Sequence, residues 1–170
     1  ENYPQVNSSA ASDVYKRQVH EVLEALLDTF NVVHICGAGH MQQTLSRLAG
    51  YRQYEYLDEQ LKHLFAITDI VISRAGATML FELLALRKPN LLIPLSRKAS
   101  RGDQILNAAS FERQGYSMVL QEEGLTGKTL LKGVRQLYEQ RSRYVDAMNQ
   151  HAEGQSIGLV LEAIESELKS

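Results

Sequence analysis

Apolar and polar positions along the chain switch repeatedly between two periods. Short apolar runs, Val32-Val33-His34-Ile35-Cys36, Ile70-Val71-Ile72 and Leu91-Leu92-Ile93, have the character of strands buried on both faces of a parallel sheet. The predicted strands run from Val32 to Cys36, Tyr51 to Tyr56, Ile70 to Ile72, Asn90 to Ile93 and Tyr116 to Leu120. The second is polar and aromatic, as suits a sheet edge. Between the strands, apolar residues recur at spacings of three and four. One stripe is Val19, Val22, Leu23, Leu26 and Leu27; another is Met79, Leu80, Leu83, Leu84 and Leu86. Leu61, Leu64, Phe65 and Ile67, then Ile105, Leu106, Ala109 and Phe111, then Leu130, Leu131, Val134 and Leu137 mark three more helices. Shorter patterns predict helices from Met41 to Leu48, Ser142 to Gln150 and Ser156 to Leu168. Asp58, Asp103 and Thr126 stand where N-caps belong. Strands alternating with helices imply an α/β fold, a doubly wound parallel sheet with helices on both faces.

The amino end breaks this rhythm. Glu1 to Asp13 has low hydrophobicity and a Ser/Ala cluster, so residues 1–18 are expected to be a poorly ordered or non-native amino end. The domain proper is then 19–170. Its first helix lacks the strand and glycine loop with which this architecture normally begins.

The chain is organised around Asp69 to Glu82, DIVISRAGATMLFE. A strand runs into a small-residue loop, Ser73-Arg74-Ala75-Gly76-Ala77, and then into a helix. Open α/β sheets place ligands in such units, at the carboxyl ends of strands. The first amides of a helix lack partners within it, and its dipole adds partial positive charge, so a diphosphate suits the site. Glu82, about one turn on, suits a neutral diol such as ribose. The other reading is a tight αβ connection with a helix-facing glutamate, and geometry alone leaves both open. The polar loop Leu95 to Gly102 carries Arg97, Lys98 and Arg101, either a solvated face or an anion contact. Asp103 and Gln104 have the groups that read sugar hydroxyls, whereas Asn107 is expected to be structural.

Composition narrows the classes. The 44% hydrophobic and 22% charged content is that of an ordinary globular domain, and 170 residues suffice for one core. A net charge of −2 speaks against nucleic-acid binding through a general basic field. The single cysteine, Cys36, excludes an intrachain disulfide and fits a reducing compartment; its apolar run predicts a buried, inert thiol. The five histidines show no metal-ligand spacing, so no metal or cofactor is expected, and only His40, at a strand-to-helix turn, is placed near a ligand. There is no G-x-S-x-G, Walker or G-x-G-x-x-G motif, and GAGH at Gly37 to His40 is a weak phosphate-loop signal. Without a membrane-spanning run or signal peptide, the chain is expected to be soluble and cytosolic, at most peripheral to a membrane.

Ser73-Arg74-Ala75-Gly76-Ala77-Thr78 through Phe81-Glu82-Leu83, Lys88-Pro89, Leu92-Ile93-Pro94 and Asp103-Gln104-x-x-Asn107-Ala108 resemble the carboxyl-terminal domain of the MurG family. The resemblance covers about Val19 to Lys169. It implies a Rossmann-like half of a GT-B glycosyltransferase. Such enzymes transfer GlcNAc from UDP-GlcNAc to a lipid-linked muramoyl-pentapeptide in peptidoglycan synthesis. By the same resemblance, Gly76, Ala77, Thr78, Met79, Leu80, Phe81 and Glu82 embrace the nucleotide, with amides toward the diphosphate and Glu82 on the ribose. Tyr56 and Leu57 present backbone to uracil, and Asp103 and Gln104 contact the GlcNAc hydroxyls. It also implies action on the cytoplasmic side of the bacterial membrane, as a peripheral protein. Another UDP-sugar GT-B half, or a non-catalytic sugar-nucleotide binding module, is the alternative.

Two departures qualify the likeness. The family's Gly-Gly-Ser loop before the first helix is replaced by Asn7 to Gln18, read here as foreign sequence. No acceptor-binding domain is present, so no residue is assigned as catalytic base, and the chain alone is expected to be inactive.

Overall fold

The computed structural model describes residues 5–8, 18–97 and 101–152, with side chains from residue 18 onward. Its centre is a six-stranded sheet of β1 (Gln5–Ser8), β2 (Asn31–Ile35), β3 (Tyr51–Tyr54), β4 (Ile70–Ser73), β5 (Asn90–Leu92) and β6 (Ser117–Val119). Every pairing is parallel, in the order β3-β2-β1-β4-β5-β6. The chain thus builds outward from β1 in one direction, then returns to its other side at β4. That reversal is the topological switch point, and crevices form there at the carboxyl ends of strands.

Five helices follow strands: α1 (Leu23–Leu27), preceded by a helical turn at 18–21, α2 (Gln60–Ile67), α3 (Ala77–Ala85), α4 (Asp103–Arg113) and α5 (Gly127–Glu139). A sixth, α6, covers 141–152. The pleat of β4 shows why its apolar run is uninterrupted. Ile70 and Ile72 join the larger core with Leu26, Leu80, Leu91 and Leu130, while Val71 joins Phe65 and Leu83 on the other side. Both faces are covered, so every residue must be apolar or partnered.

The structure corrects the reading of the amino end. Gln5–Ser8 lies at the middle of the sheet, paired with β2 and β4, and not in a disordered leader. It escapes detection because Gln5-Val6-Asn7-Ser8 holds one apolar residue. Its place rests on backbone ladders on both sides, which need no particular side chain. The expected domain start at residue 19 is therefore too late. Residues 1–4 and 9–17, and the expected helix from Ser156 to Leu168, lie outside the described residues.

Other boundaries move for local reasons. The helix expected from Met41 to Leu48 is reduced to a 3-10 turn, Leu45–Arg47. The Gln53 side chain takes both backbone groups of Gln42, accepting from its N–H at 3.0 Å and donating to its carbonyl at 2.9 Å. Asp58 and Asp103 do not cap. Glu59 and Gly102 are the N-caps of α2 and α4, neither with a side-chain bond, and Gly102 turns with φ +93°. Thr126 does cap α5, in a reciprocal box with Thr129.

Helix α3 ends in a Schellman arrangement, with Lys88 N–H donating to Leu83 O at 2.9 Å and Arg87 N–H to Leu84 O at 3.1 Å. The left-handed position belongs to Arg87, at φ +51°. An L side chain there costs roughly 1–2 kcal/mol, against a glycine penalty of roughly 0.5–1 kcal/mol in the unfolded chain. Arg87→Gly should therefore stabilise the domain by about 0.5–1 kcal/mol, read as a higher urea midpoint at unchanged slope. A lower midpoint would mean that the arginine side chain contributes more than its strain costs.

Candidate functional site

The site is built on the loop between β4 and α3. Gly76 is the N-cap of α3 in an extended conformation, with no side-chain cap. The first amide bonded back into the helix is that of Leu80, which donates to Gly76 O at 3.1 Å. The N–H groups of Ala77, Thr78 and Met79 come before it and have no intrahelical acceptor. A Cβ placed on Gly76 would meet no atom of the described residues within 4 Å, so nothing among them crowds the N-cap. Ala77 and Thr78 are exposed, and Met79 packs its side chain beside Phe65 and Val71. Leu80 differs from the rest of the expected set. Its side chain is buried in the core and its amide is already used, so it faces away from any ligand.

Glu82 is exposed one turn further along α3. It lines a cavity of about 370 Å³ with Asp58, Glu59, Leu61 and Lys62 of the segment entering α2. Tyr56 and Leu57 directly precede that segment, Tyr56 strongly exposed and Leu57 half-buried. The fold thus sets Glu82 in a cavity shared with the segment that follows Tyr56 and Leu57, although those two residues do not themselves line it. Phe81 is 65% exposed, its ring edge-on to Phe111 at 6.3 Å between centroids, and it lines a separate cavity with Met148 and His151 of α6.

Helix α4 is tied to the loop before α3 by one side chain. Asn107 Nδ2 donates to Ala75 O at 3.1 Å, which levels the second turn of α4 with the loop before α3. Asp103 and Gln104 lie one turn earlier on α4 than Asn107. Asp103 is exposed, whereas Gln104 Oε1 accepts from Leu95 N–H at 3.1 Å and so holds the strand-β5 loop. Only its –NH2 is left to donate outward.

Two residues here were not among the expected ones. Arg74 and Glu122 form a buried ion pair, Nη2 to Oε1 at 2.6 Å, with side chains 8% and 9% exposed. The sequence signal for Arg74 was a lone arginine inside a run of small residues after a buried strand; charged residues are almost never fully buried unless paired. Nothing local marked Glu122, which lies far away in sequence.

Other candidates resolve plainly. Arg97 and Arg101 are exposed, and Lys98 lies outside the described residues. His40 is exposed on its turn, whereas His34 is inside the sheet with Nδ1 2.9 Å from the Tyr51 hydroxyl. Burial, and then the neighbouring Cys36, pushes the Tyr51 hydroxyl far above its ordinary pKa, so it stays protonated and bonded. Cys36 is buried with Sγ 3.3 Å from Tyr54 O, as an inert thiol should be. A cavity of about 520 Å³ lies at the opposite, amino edge of β4 and β5, lined by Thr68, Lys88 and Arg141. The Lys88 ammonium there donates to Thr68 O at 2.9 Å, and burial lowers its pKa against the pull of Asp69. Despite its size, that cavity faces away from every strand-end loop.

Residues 8–160 match the profile of the glycosyltransferase family 28 C-terminal domain. The chain belongs to this family. Among curated relatives, it is 47% identical over 159 residues to a UDP-N-acetylglucosamine--N-acetylmuramyl-(pentapeptide) pyrophosphoryl-undecaprenol N-acetylglucosamine transferase of Clostridium perfringens. That match covers 94% of this chain and 44% of the relative. The Clostridium tetani protein of the same description is 49% identical over 160 residues, 94% of this chain and 45% of that one. The family 28 domain thus spans a little under half the length of these relatives. Among solved structures, Acinetobacter baumannii MurG superposes with a TM-score of 0.72 at 20% identity, covering 88% of this chain and 48% of that one. The glycosyltransferase VinC in complex with dTDP superposes with a TM-score of 0.69 at 16% identity, covering 96% and 42%. The fold is that of one half of a GT-B glycosyltransferase.

Within this family 28 domain Asn107 is a bracket between α4 and the α3 loop. Asn107→Leu would leave the Ala75 carbonyl without its donor, a loss of about 1–3 kcal/mol. The variant should unfold at correspondingly lower urea concentration, and an unchanged midpoint would show that the bracket carries no energy.

Proposed function

We propose that this domain is the donor-binding half of a glycosyltransferase that moves GlcNAc from UDP-GlcNAc to a lipid-linked muramoyl-pentapeptide. One observation carries the reading: an uncapped, open helix start at the switch point, with a free-standing carboxylate one turn along. The names of the curated relatives support the donor and acceptor chemistry.

In this reading the diphosphate lies on the amides of Ala77, Thr78 and Met79. Glu82, roughly 6 Å further along the axis at 1.5 Å per residue, accepts the two ribose hydroxyls. The Tyr56–Leu57 backbone reads the uracil edge. The GlcNAc ring then projects upward to Asp103 and the –NH2 of Gln104. Transfer breaks the bond between the sugar's anomeric carbon and the diphosphate as an acceptor hydroxyl attacks, so negative charge grows on the departing UDP. The partial positive charge of the α3 start is aimed at that position and strengthens its hold as the charge develops.

The acceptor, the base that takes its proton, and contact with the cytoplasmic membrane surface belong in this proposal to the remainder of the protein. Among the described residues no helix is long and apolar enough to cross a membrane.

Two outcomes test the reading. Glu82→Ala removes charge-assisted bonds of about 1.5–3 kcal/mol and should weaken UDP binding roughly tenfold or more by titration calorimetry. Because Glu82 is exposed, the melting temperature should stay put; unchanged UDP affinity would remove it from the site. The second test is transfer itself. Positioning of both substrates lowers a barrier by about 7–11 kcal/mol, and this chain provides one wall only. It should bind UDP-GlcNAc saturably, yet transfer nothing to a lipid-diphosphate muramoyl-peptide analogue unless an acceptor domain is fused to it. Sustained turnover by this chain alone would refute the division of labour.

A further inference from the structure

Glu122 follows β6, in a 3-10 turn (Glu122–Gly124), and its carboxylate reaches back under two neighbouring loops. Oε1 accepts from Arg74 Nη2 at 2.6 Å, and Oε2 accepts from the Ser96 amide at 2.9 Å. Arg74 in turn donates from Nη1 to the Ile93 carbonyl at 2.9 Å. One ion pair therefore joins the segments leaving β4, β5 and β6. Buried pairs of this kind are poor stabilisers, since apolar replacements are often neutral or better. What the pair holds is more informative. Arg74 lies two residues before Gly76, the N-cap of α3, and Ser96 opens the loop that leads to α4.

We propose that Glu122 is a positioning residue for the nucleotide site. Through Arg74 it fixes the height of the α3 amides, and through Ser96 it fixes the loop beneath Gln104, so that the diphosphate and sugar subsites stay in register. It also keeps the Arg74 guanidinium neutralised and underneath the site. An arginine released from it would compete for the diphosphate from the wrong side. This role rests on the donor-site reading above.

The test uses the purified chain with two binding variants, Glu122→Gln and the double replacement Arg74→Met with Glu122→Leu, and Arg74→Met alone as a melting control. UDP binding is measured by calorimetry at a temperature where circular dichroism shows each protein fully folded. Glu122→Gln keeps the shape but can satisfy only one of its two donors. The double variant removes the charges together and should melt above Arg74→Met alone, which strands the carboxylate. Both variants should bind UDP about tenfold or more weakly than the parent, with faster amide exchange at Ala77, Thr78 and Met79. A folded variant of either kind that binds UDP within about twofold of the parent overturns the positioning role while leaving the donor site intact. Absence of UDP binding by the parent overturns both.

Discussion

Every strand of this sheet runs in the same direction, and the rest of the molecule follows from that. Parallel neighbours cannot be joined by hairpins, so each strand must be followed by a return path along the sheet's length. The return paths are the helices, which is why the apolar rhythm alternates along the chain. All the loops that leave strands are gathered at one edge, and the five helices that follow strands start on that side. The positive ends of α3 and α4 share an edge for this reason alone. Parallel pairing thus makes a polarised edge before any particular side chain is chosen, and the sequence of that edge decides what it binds.

How much of this was legible depended on whether the signal was carried by the residue itself. β4 and β5 could be read because burial on both faces demands apolar residues at every position, as in Ile70-Val71-Ile72. The strand, loop and helix around Gly76 could be read because the three are contiguous in the chain. Thr126 was readable because a cap acts within its own turn. β1 was not, since its ladders are made by backbone and its partners β2 and β4 are distant in sequence. The same is true of Arg74 and Glu122, 48 residues apart. A helix at Met41 to Leu48 was expected from periodicity, but the side chain of Gln53, from a different element, took the backbone bonds instead. Local propensity lost to a tertiary hydrogen bond.

The electrostatics of the edge are quieter than its composition suggests. The arginine placed deepest under the α3 loop is matched by Glu122 and contributes little net field. The exposed arginines Arg97 and Arg101 stand in solvent, where salt screens them. What remains directed at the open amides is the fixed dipole of α3, which needs no rotamer to be selected and no counter-ion to be displaced. In the proposed reading, a chain of formal charge −2 holds a highly charged anion through this dipole and not through a general basic field.

The order β3-β2-β1-β4-β5-β6 gives β1 a part out of proportion to its length. Remove it, and the sheet falls into a wing of two strands and a wing of three that share no ladder. Each wing could gather itself from segments close together in the chain, but the seam between them closes only when Val6 meets both Val32 and Ile70. Within this domain synthesis delivers β1 before β4, so β1 must wait through the emergence of one whole wing before its second side is occupied. The cost of closing that long loop grows only with the logarithm of its length. The delay is therefore one of timing more than of energy. It leaves an edge of backbone donors and acceptors exposed during assembly, on a strand that will finally be paired along both sides.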